Sequence, residues 1–280
     1  MSLYASLKIL AIFTAVVILR GQSVREEVYL GIGDPDCGAE NNTTNLESCT
    51  TVSPDVPSAL QQKRSINGYD VNALDYQFVV RLHDADHLSF CGGSVINKRL
   101  VLTAAHCISN RLSHVAVSSS DGPSKVCHGI VRYISHPRYN TKDGLHDLGL
   151  LVLKNHIQDY SPIRLIPKGW NVRKGATASA FGWGFTEYGD LSANLRRVDL
   201  LVLNVAECID AYQSRGNWIC TDSHVNDICN GDSGGPLLVH RYQVGIVSIG
   251  DEKCESGVPS AFTAVAAYRD WIDWYSKRYH

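Results

Sequence analysis

Three side chains far apart in the sequence could together activate an alcohol. They are His106 in Leu102-Thr103-Ala104-Ala105-His106-Cys107, Asp147 in His146-Asp147-Leu148-Gly149-Leu150-Leu151, and Ser233 in Gly231-Asp232-Ser233-Gly234-Gly235-Pro236. A serine hydroxyl is a weak nucleophile at its ordinary pKa, so it needs a base within reach and a third group to orient that base. Imidazole suits proton transfer near neutrality, and a carboxylate behind it fixes its orientation and tautomer. Gly231 lets the chain turn so that the N–H groups of Gly231 and Ser233 can face a developing oxyanion. Such a set performs acyl transfer, provided that the fold brings its members to one point.

The elements that would position them are short and apolar. Phe78-Val79-Val80-Arg81-Leu82, Arg99-Leu100-Val101-Leu102, Leu148 to Leu153, Leu200-Leu201-Val202-Leu203, Pro236-Leu237-Leu238-Val239 and Val244-Gly245-Ile246-Val247 are rich in branched residues and separated by turn residues. This pattern predicts an all-β domain from Ser65 onward. His106 follows one such run and Asp147 opens another, so both are expected at strand ends. Helix is expected mainly at the C-terminus, where Val265, Tyr268, Trp271, Ile272 and Tyr275 recur at helical spacing.

Composition fits a globular, exported chain. Of 280 residues, 44% are hydrophobic and 19% charged, enough to build a core, and a net charge of -2 without a basic run gives nucleic acid no footprint. Nine cysteines point to disulfides and an oxidising compartment. After Lys8, the run Ile9 to Leu19 resembles the apolar core of a secretory signal, with residues 1–22 removed near Gly21 or Ser23. It is short for a bilayer span of roughly 20 residues, and Arg20 ends it abruptly, which argues against an uncleaved anchor. Residues 23–64 form a polar leader without sustained periodicity, carrying two overlapping glycosylation acceptors at Asn41 and Asn42. Secretion follows, with no stable membrane insertion.

These motifs resemble the chymotrypsin-like serine proteases, trypsins in particular. The resemblance covers Ser65 to about Lys277 and rests on Ser65-Ile66-Asn67-Gly68, Cys91-Gly92-Gly93-Ser94-Val95-Ile96, the histidine and aspartate segments, Gly182-Trp183-Gly184, the serine segment and Val247-Ser248-Ile249-Gly250. Single tripeptides carry little weight; the order histidine, aspartate, serine with these flanks is specific. The resemblance implies two six-stranded Greek-key β-barrels with a C-terminal helix over residues 65–280. It also implies His106 as base, Asp147 as orienter, Ser233 as nucleophile, Gly231 and Ser233 as the oxyanion hole, and no metal or organic cofactor. Its disulfides would be Cys91–Cys107, Cys208–Cys220 and Cys229–Cys254. Cys37, Cys49 and Cys127 remain, either as Cys37–Cys49 with Cys127 free or with Cys127 tethering a leader cysteine.

The resemblance further implies a primary pocket of Asp227, Ser248, Gly250 and Ser260. Asp227 would sit at the floor, because a buried carboxylate favours an arriving lysine or arginine. Ser260 departs from the trypsin pattern, which has glycine there, and its hydroxymethyl group would narrow the pocket or contact Asp227. Cleavage after Arg64 would free the Ser65 amine to pair with Asp232; cleavage after Ser65 would leave a terminus one residue shorter. Ser65 replaces a branched apolar residue, so the activated state is expected to be less firmly locked, by roughly 1.5–3 kcal/mol of apolar burial. The expected partners are polypeptide substrates, an activating protease and protein inhibitors, with the chain itself a monomer. A catalytically silent homologue that binds or regulates is the alternative. An α/β-hydrolase lipase or esterase fits poorly, since its chain order and serine flanks differ.

Overall fold

A computed structural model of the chain describes residues 67–117, 126–158, 160–251, 254 and 257–280, together with the backbone of residues 12–19, 22–29, 118 and 125. Its strands are β1 (Ile12–Leu19), β2 (Gln22–Tyr29), β3 (Tyr69–Asp70), β4 (Val79–Asp84), β5 (Ser89–Asn97), β6 (Leu100–Thr103), β7 (Leu112–Ser118) and β8 (Lys125–Ser135). They continue as β9 (Gly149–Leu153), β10 (Arg164–Leu165), β11 (Thr177–Gly182), β12 (Arg196–Leu201), β13 (Trp218–Thr221), β14 (Pro236–Val239), β15 (Tyr242–Ile249) and β16 (Ser260–Ala264). Two α-helices are described, α1 (Val205–Tyr212) and α2 (Arg269–Arg278).

The first sheet closes. Strands β4, β5, β6, β9, β8 and β7 pair in turn, and β7 returns to β4, which makes a six-stranded barrel. Its interior is apolar: Val80, Leu82, Val95, Leu100, Leu102, Val115, Ile134 and Leu150 are all buried. In β9 every residue is buried, the mark of a strand covered on both faces.

The second sheet does not close as a ladder. Its path runs β13-β16-β15-β14-β11-β12-β3, with β10 off the path against β15. Two six-stranded barrels are therefore corrected to one closed six-stranded barrel and one open seven-stranded half-barrel. The seam explains the difference. Strands β12 and β13 meet only at the bridge Val202↔Thr221 and its flanking hydrogen bonds, while β3 occupies the edge of β12 at Arg196 and Arg197. Beyond Leu201 the chain leaves the sheet for α1. That helix starts at Asn204, whose side chain forms a capping box with Glu207, and Cys208–Cys220 ties it to β13. Sequence periodicity predicts strands but not this early exit.

The leader also differs from expectation. Residues 23–29, expected to open a polar leader without sustained periodicity, lie in β2, which pairs with β1 from Ile12↔Tyr29 to Leu19↔Gln22 and touches β8 at Val28↔Ile134 and Tyr29↔Tyr133. The branched residues of β1 favour extended backbone and supply a template along which a polar partner can pair. The C-terminal periodicity becomes a 3-10 turn over Val265–Tyr268 and then α2, which buries Trp271, Ile272 and Tyr275.

Candidate active site

His106 and Asp147 come from neighbouring strands of the closed barrel. His106 lies in the 3-10 turn Ala105–Cys107 just after β6, and Asp147 lies two residues before β9, which pairs with β6. The Cys91–Cys107 disulfide fixes that turn to β5. His106 Nδ1 stands 2.7 Å from Asp147 Oδ2, and His106 N donates to Asp147 Oδ1 at 2.9 Å. A carboxylate only accepts, so the shared proton belongs to Nδ1, which leaves Nε2 with a lone pair for a base's work.

Asp147 is held from the second sheet as well. Ser248 Oγ in β15 donates to Asp147 Oδ2 at 2.7 Å, and Thr263 Oγ1 in β16 donates to the Asp147 carbonyl at 2.8 Å. The side chain is almost wholly buried, whereas His106 keeps about a third of its surface open, at 32%. A buried anion with three donors is compensated, and its imidazole partner faces solvent. Ser248, expected in the primary pocket, thus commits its hydroxyl to Asp147.

The serine segment lies where the two sheets meet. Gly92 N in β5 donates to the Ser233 carbonyl at 2.7 Å, and Gly234 N donates to Val247 O in β15 at 2.9 Å. Thr103 Oγ1 closes the corner by donating to Gly92 O at 2.8 Å. Gly234 is obligatory here: its φ is +78°, and a Cβ would stand 2.2 Å from Thr103 Oγ1 and 2.5 Å from Gly92 O. Gly231 takes φ +100°, a left-handed backbone conformation that suits glycine. His106, Asp147 and the Ser233 backbone are therefore joined through β5, β6 and β15.

Asp232 is turned inward. Its carboxylate accepts from Gly184 N at 2.8 Å and Cys229 N at 3.0 Å, beside a crevice lined by Gly68, Gly182, Gly184 and Arg196. Burial lifts its pKa to about 6, although both amides and the Arg196 charge pull the other way. Arg196 is held by Glu187, 2.7 Å from its Nη1, and by the Gly68 carbonyl. Arg64 and Ser65, the expected activation residues, lie outside the described residues, as do Asn41, Asn42, Cys37 and Cys49.

Asp227, the expected pocket floor, is enclosed. Asp227 is fully buried, and its Oδ1 accepts from Ser260 Oγ at 2.6 Å and from Ile228 N at 2.8 Å. The Cβ that Gly250 lacks would stand 3.5 Å from Ile228 Cδ1 and 3.6 Å from Ser260 Oγ. Ile228 and Ser260 therefore both come close to Gly250. Ile228 escapes sequence reasoning because an isoleucine beside a cysteine looks like core. Its position next to Asp227 is the one signal that could have marked it.

All three expected disulfides are formed: Cys91–Cys107, Cys208–Cys220 and Cys229–Cys254. The last clamps the serine segment to the loop after β15. Cys127 is half-buried in β8. Ligand atoms of Cys91, His106 and Cys107 lie within 4.8 Å of one another, but both sulfurs are spent in their disulfide, so this group offers a cation one imidazole. Among the described residues no helix is long and apolar enough to cross a membrane.

Comparison with known proteins agrees with this architecture. A family model described as Trypsin matches residues 65–272. The chain is 34% identical over 224 residues to a trypsin of Phaedon cochleariae, covering 74% of this chain and 86% of the relative. It is 31% identical to a chymotrypsin of the same species, covering 80% and 85% respectively. It is 37% identical to CLIP domain-containing serine protease B4 of Anopheles gambiae, covering 65% of this chain and 61% of that protein. With the paired histidine and aspartate, the three disulfides and a family match that spans most of its length, the chain belongs to the trypsin family of serine proteases.

Proposed function

We propose that this protein is a secreted endopeptidase that hydrolyses peptide bonds through a Ser233–His106–Asp147 acyl-enzyme route. The observation that carries this reading is the His106 Nδ1–Asp147 Oδ2 contact at 2.7 Å, buttressed by Ser248 and Thr263. In this route His106 Nε2 takes the Ser233 proton as Oγ attacks the carbonyl carbon, and the N–H groups of Gly231 and Ser233 receive the oxyanion. His106 then gives that proton to the leaving amine. Water, deprotonated in its turn by His106, cleaves the ester and restores Ser233.

Cleavage is proposed to follow arginine or lysine, with Asp227 as the counter-charge, and the zymogen to be activated by cleavage after Arg64. The new Ser65 amine would then pair with Asp232. The chain would carry residues 1–22 as a signal, 23–64 as a leader glycosylated at Asn41 or Asn42, and 65–280 as the protease. Because the Ser260 hydroxyl occupies Asp227 Oδ1, a basic side chain must displace it, which makes this a slower arginine/lysine protease than one with an open pocket. The same covering favours a second reading, a silent homologue that binds without cutting. A fluorophosphonate probe separates them. After cleavage at Arg64 it should add to Ser233, located by peptide mass spectrometry, and should fail in His106→Ala. No adduct in the cleaved wild-type chain selects the silent homologue.

A further inference from the structure

Three histidines gather where β4, β7 and the β4–β5 turn of the closed barrel meet. His83 is the penultimate residue of β4, His114 lies opposite it in β7, and His87 lies in the turn that joins β4 to β5. The His83 and His114 rings stack with centroids 5.2 Å apart and planes within 9°. His87 Nδ1 faces His114 Nε2 at 3.3 Å. The serine chemistry uses none of these groups.

We propose that His87 and His114 form a two-imidazole site for a late first-row divalent cation such as Zn2+, which binds at the mouth of the β4–β5 turn. The separation fits the ion. Zn–N bonds of about 2.0–2.1 Å at a tetrahedral angle hold two nitrogens about 3.3–3.4 Å apart. Imidazole is a preferred donor for Zn, Cu and Ni, and waters would complete the shell. Access and rigidity also fit. His114 is buried at 1% exposure, so its ring is held in place, while His87 is exposed and opens the pair to solvent.

The turn is built to hold His87 there. His87 takes φ +62°, its N–H donates to Asp84 O at 3.2 Å, and its carbonyl lies 2.8 Å from His83 Nδ1. Asp84 Oδ1 accepts from the amides of Asp86 and Leu88. Asp84 and Asp86 place negative charge beside the pair, partly offset by Arg111 at 2.8 Å from Asp84 Oδ2. The turn feeds directly into β5, which carries Cys91 and Gly92 to the histidine and serine segments. An ion here would stiffen the strand that both segments lean on. The site is independent of the catalytic reading, because its test is binding.

Titration of the full uncleaved chain with ZnCl2 in a non-chelating buffer, followed by calorimetry and by imidazole NMR, tests the assignment. One micromolar site, reversed by EDTA and shifting the resonances of His87 and His114, is expected. His87→Ala should weaken it at least tenfold without lowering Tm, and Co2+ in place of Zn2+ should give a tetrahedral visible spectrum in the wild type alone. Because His87 is exposed, that variant should fold even if His114→Ala does not. Absence of binding at millimolar Zn2+, or binding that survives His87→Ala, would overturn the site.

Discussion

Replacing Ser260 by glycine is expected to raise kcat/KM on arginine and lysine substrates by about tenfold. The hydroxyl now holds Asp227 Oδ1 at 2.6 Å, a charge-assisted hydrogen bond of roughly 1.5–3 kcal/mol. At about 1.4 kcal/mol per factor of ten, its full displacement by substrate corresponds to a factor between about 10 and 150. The lower end applies because the serine hydroxyl can find water once displaced. Volume acts in the same direction, since Ser260 Oγ would lie 3.6 Å from a Cβ at Gly250. Ser260→Ala separates the two effects: it removes the competing hydroxyl but keeps a methyl group in the slot, so it should gain less than glycine. Glycine within β16 costs about 0.5–1 kcal/mol of stability, which Tm reads separately. The assay is initial-rate hydrolysis of matched Arg, Lys, Leu and Ala peptide amides by chain cleaved at Arg64. If both variants leave the Arg and Lys rates unchanged or lower them, the covering of Asp227 does not limit specificity and this reasoning fails.

Ser248→Ala should lower kcat about tenfold with KM nearly unchanged, because it removes one charge-assisted bond from Asp147 while leaving its two bonds to His106; an unchanged kcat would show that Ser248 does not support the carboxylate. Gly234→Ala should abolish accumulation of folded chain or destabilise it by more than about 2 kcal/mol, since the added carbon meets Thr103 Oγ1 and Gly92 O in a left-handed turn; near-native Tm would contradict the packing. Asp232 gives a pH signature. Its folded pKa of about 6 exceeds the ordinary 3.8, so the folded chain binds the proton more tightly and ionisation costs roughly 3 kcal/mol above pH 6, recovered as pH falls towards 4. A new Ser65 amine would remove that cost, so the Tm gain on cleavage should be large at pH 7.5 and small at pH 4.5. Equal gains at both pH values would exclude the ion pair.

The proposed reacting groups stand out in the sequence because each sits in a local string. His106 beside Cys107, Asp147 before a run of leucines and Ser233 among glycines are short-range patterns with a mechanical reason. What holds them is long-range. Ser248 meets Asp147 across 101 positions and Thr263 meets it across 116, so neither hydroxyl announces its partner. Ile228 reads as core and is core, and its proximity to Gly250 is a long-range contact that its neighbours in the chain do not announce. The open second sheet follows from where β12 ends, and α1 begins there through Asn204 and Glu207, a capping pattern visible in the sequence but easily passed over between strands. In the leader, β2 depends on pairing with β1, which its own polar sequence does not show.

Cleaving the chain after Arg64 and measuring hydrolysis of a fluorogenic arginine or lysine peptide before and after, with Ser233→Ala in parallel, bears most directly on the catalytic assignment. Turnover should appear only after the cut and should be missing from the Ser233→Ala chain. A cleaved wild-type chain as inert as that variant, or a variant as active as wild type, would contradict it.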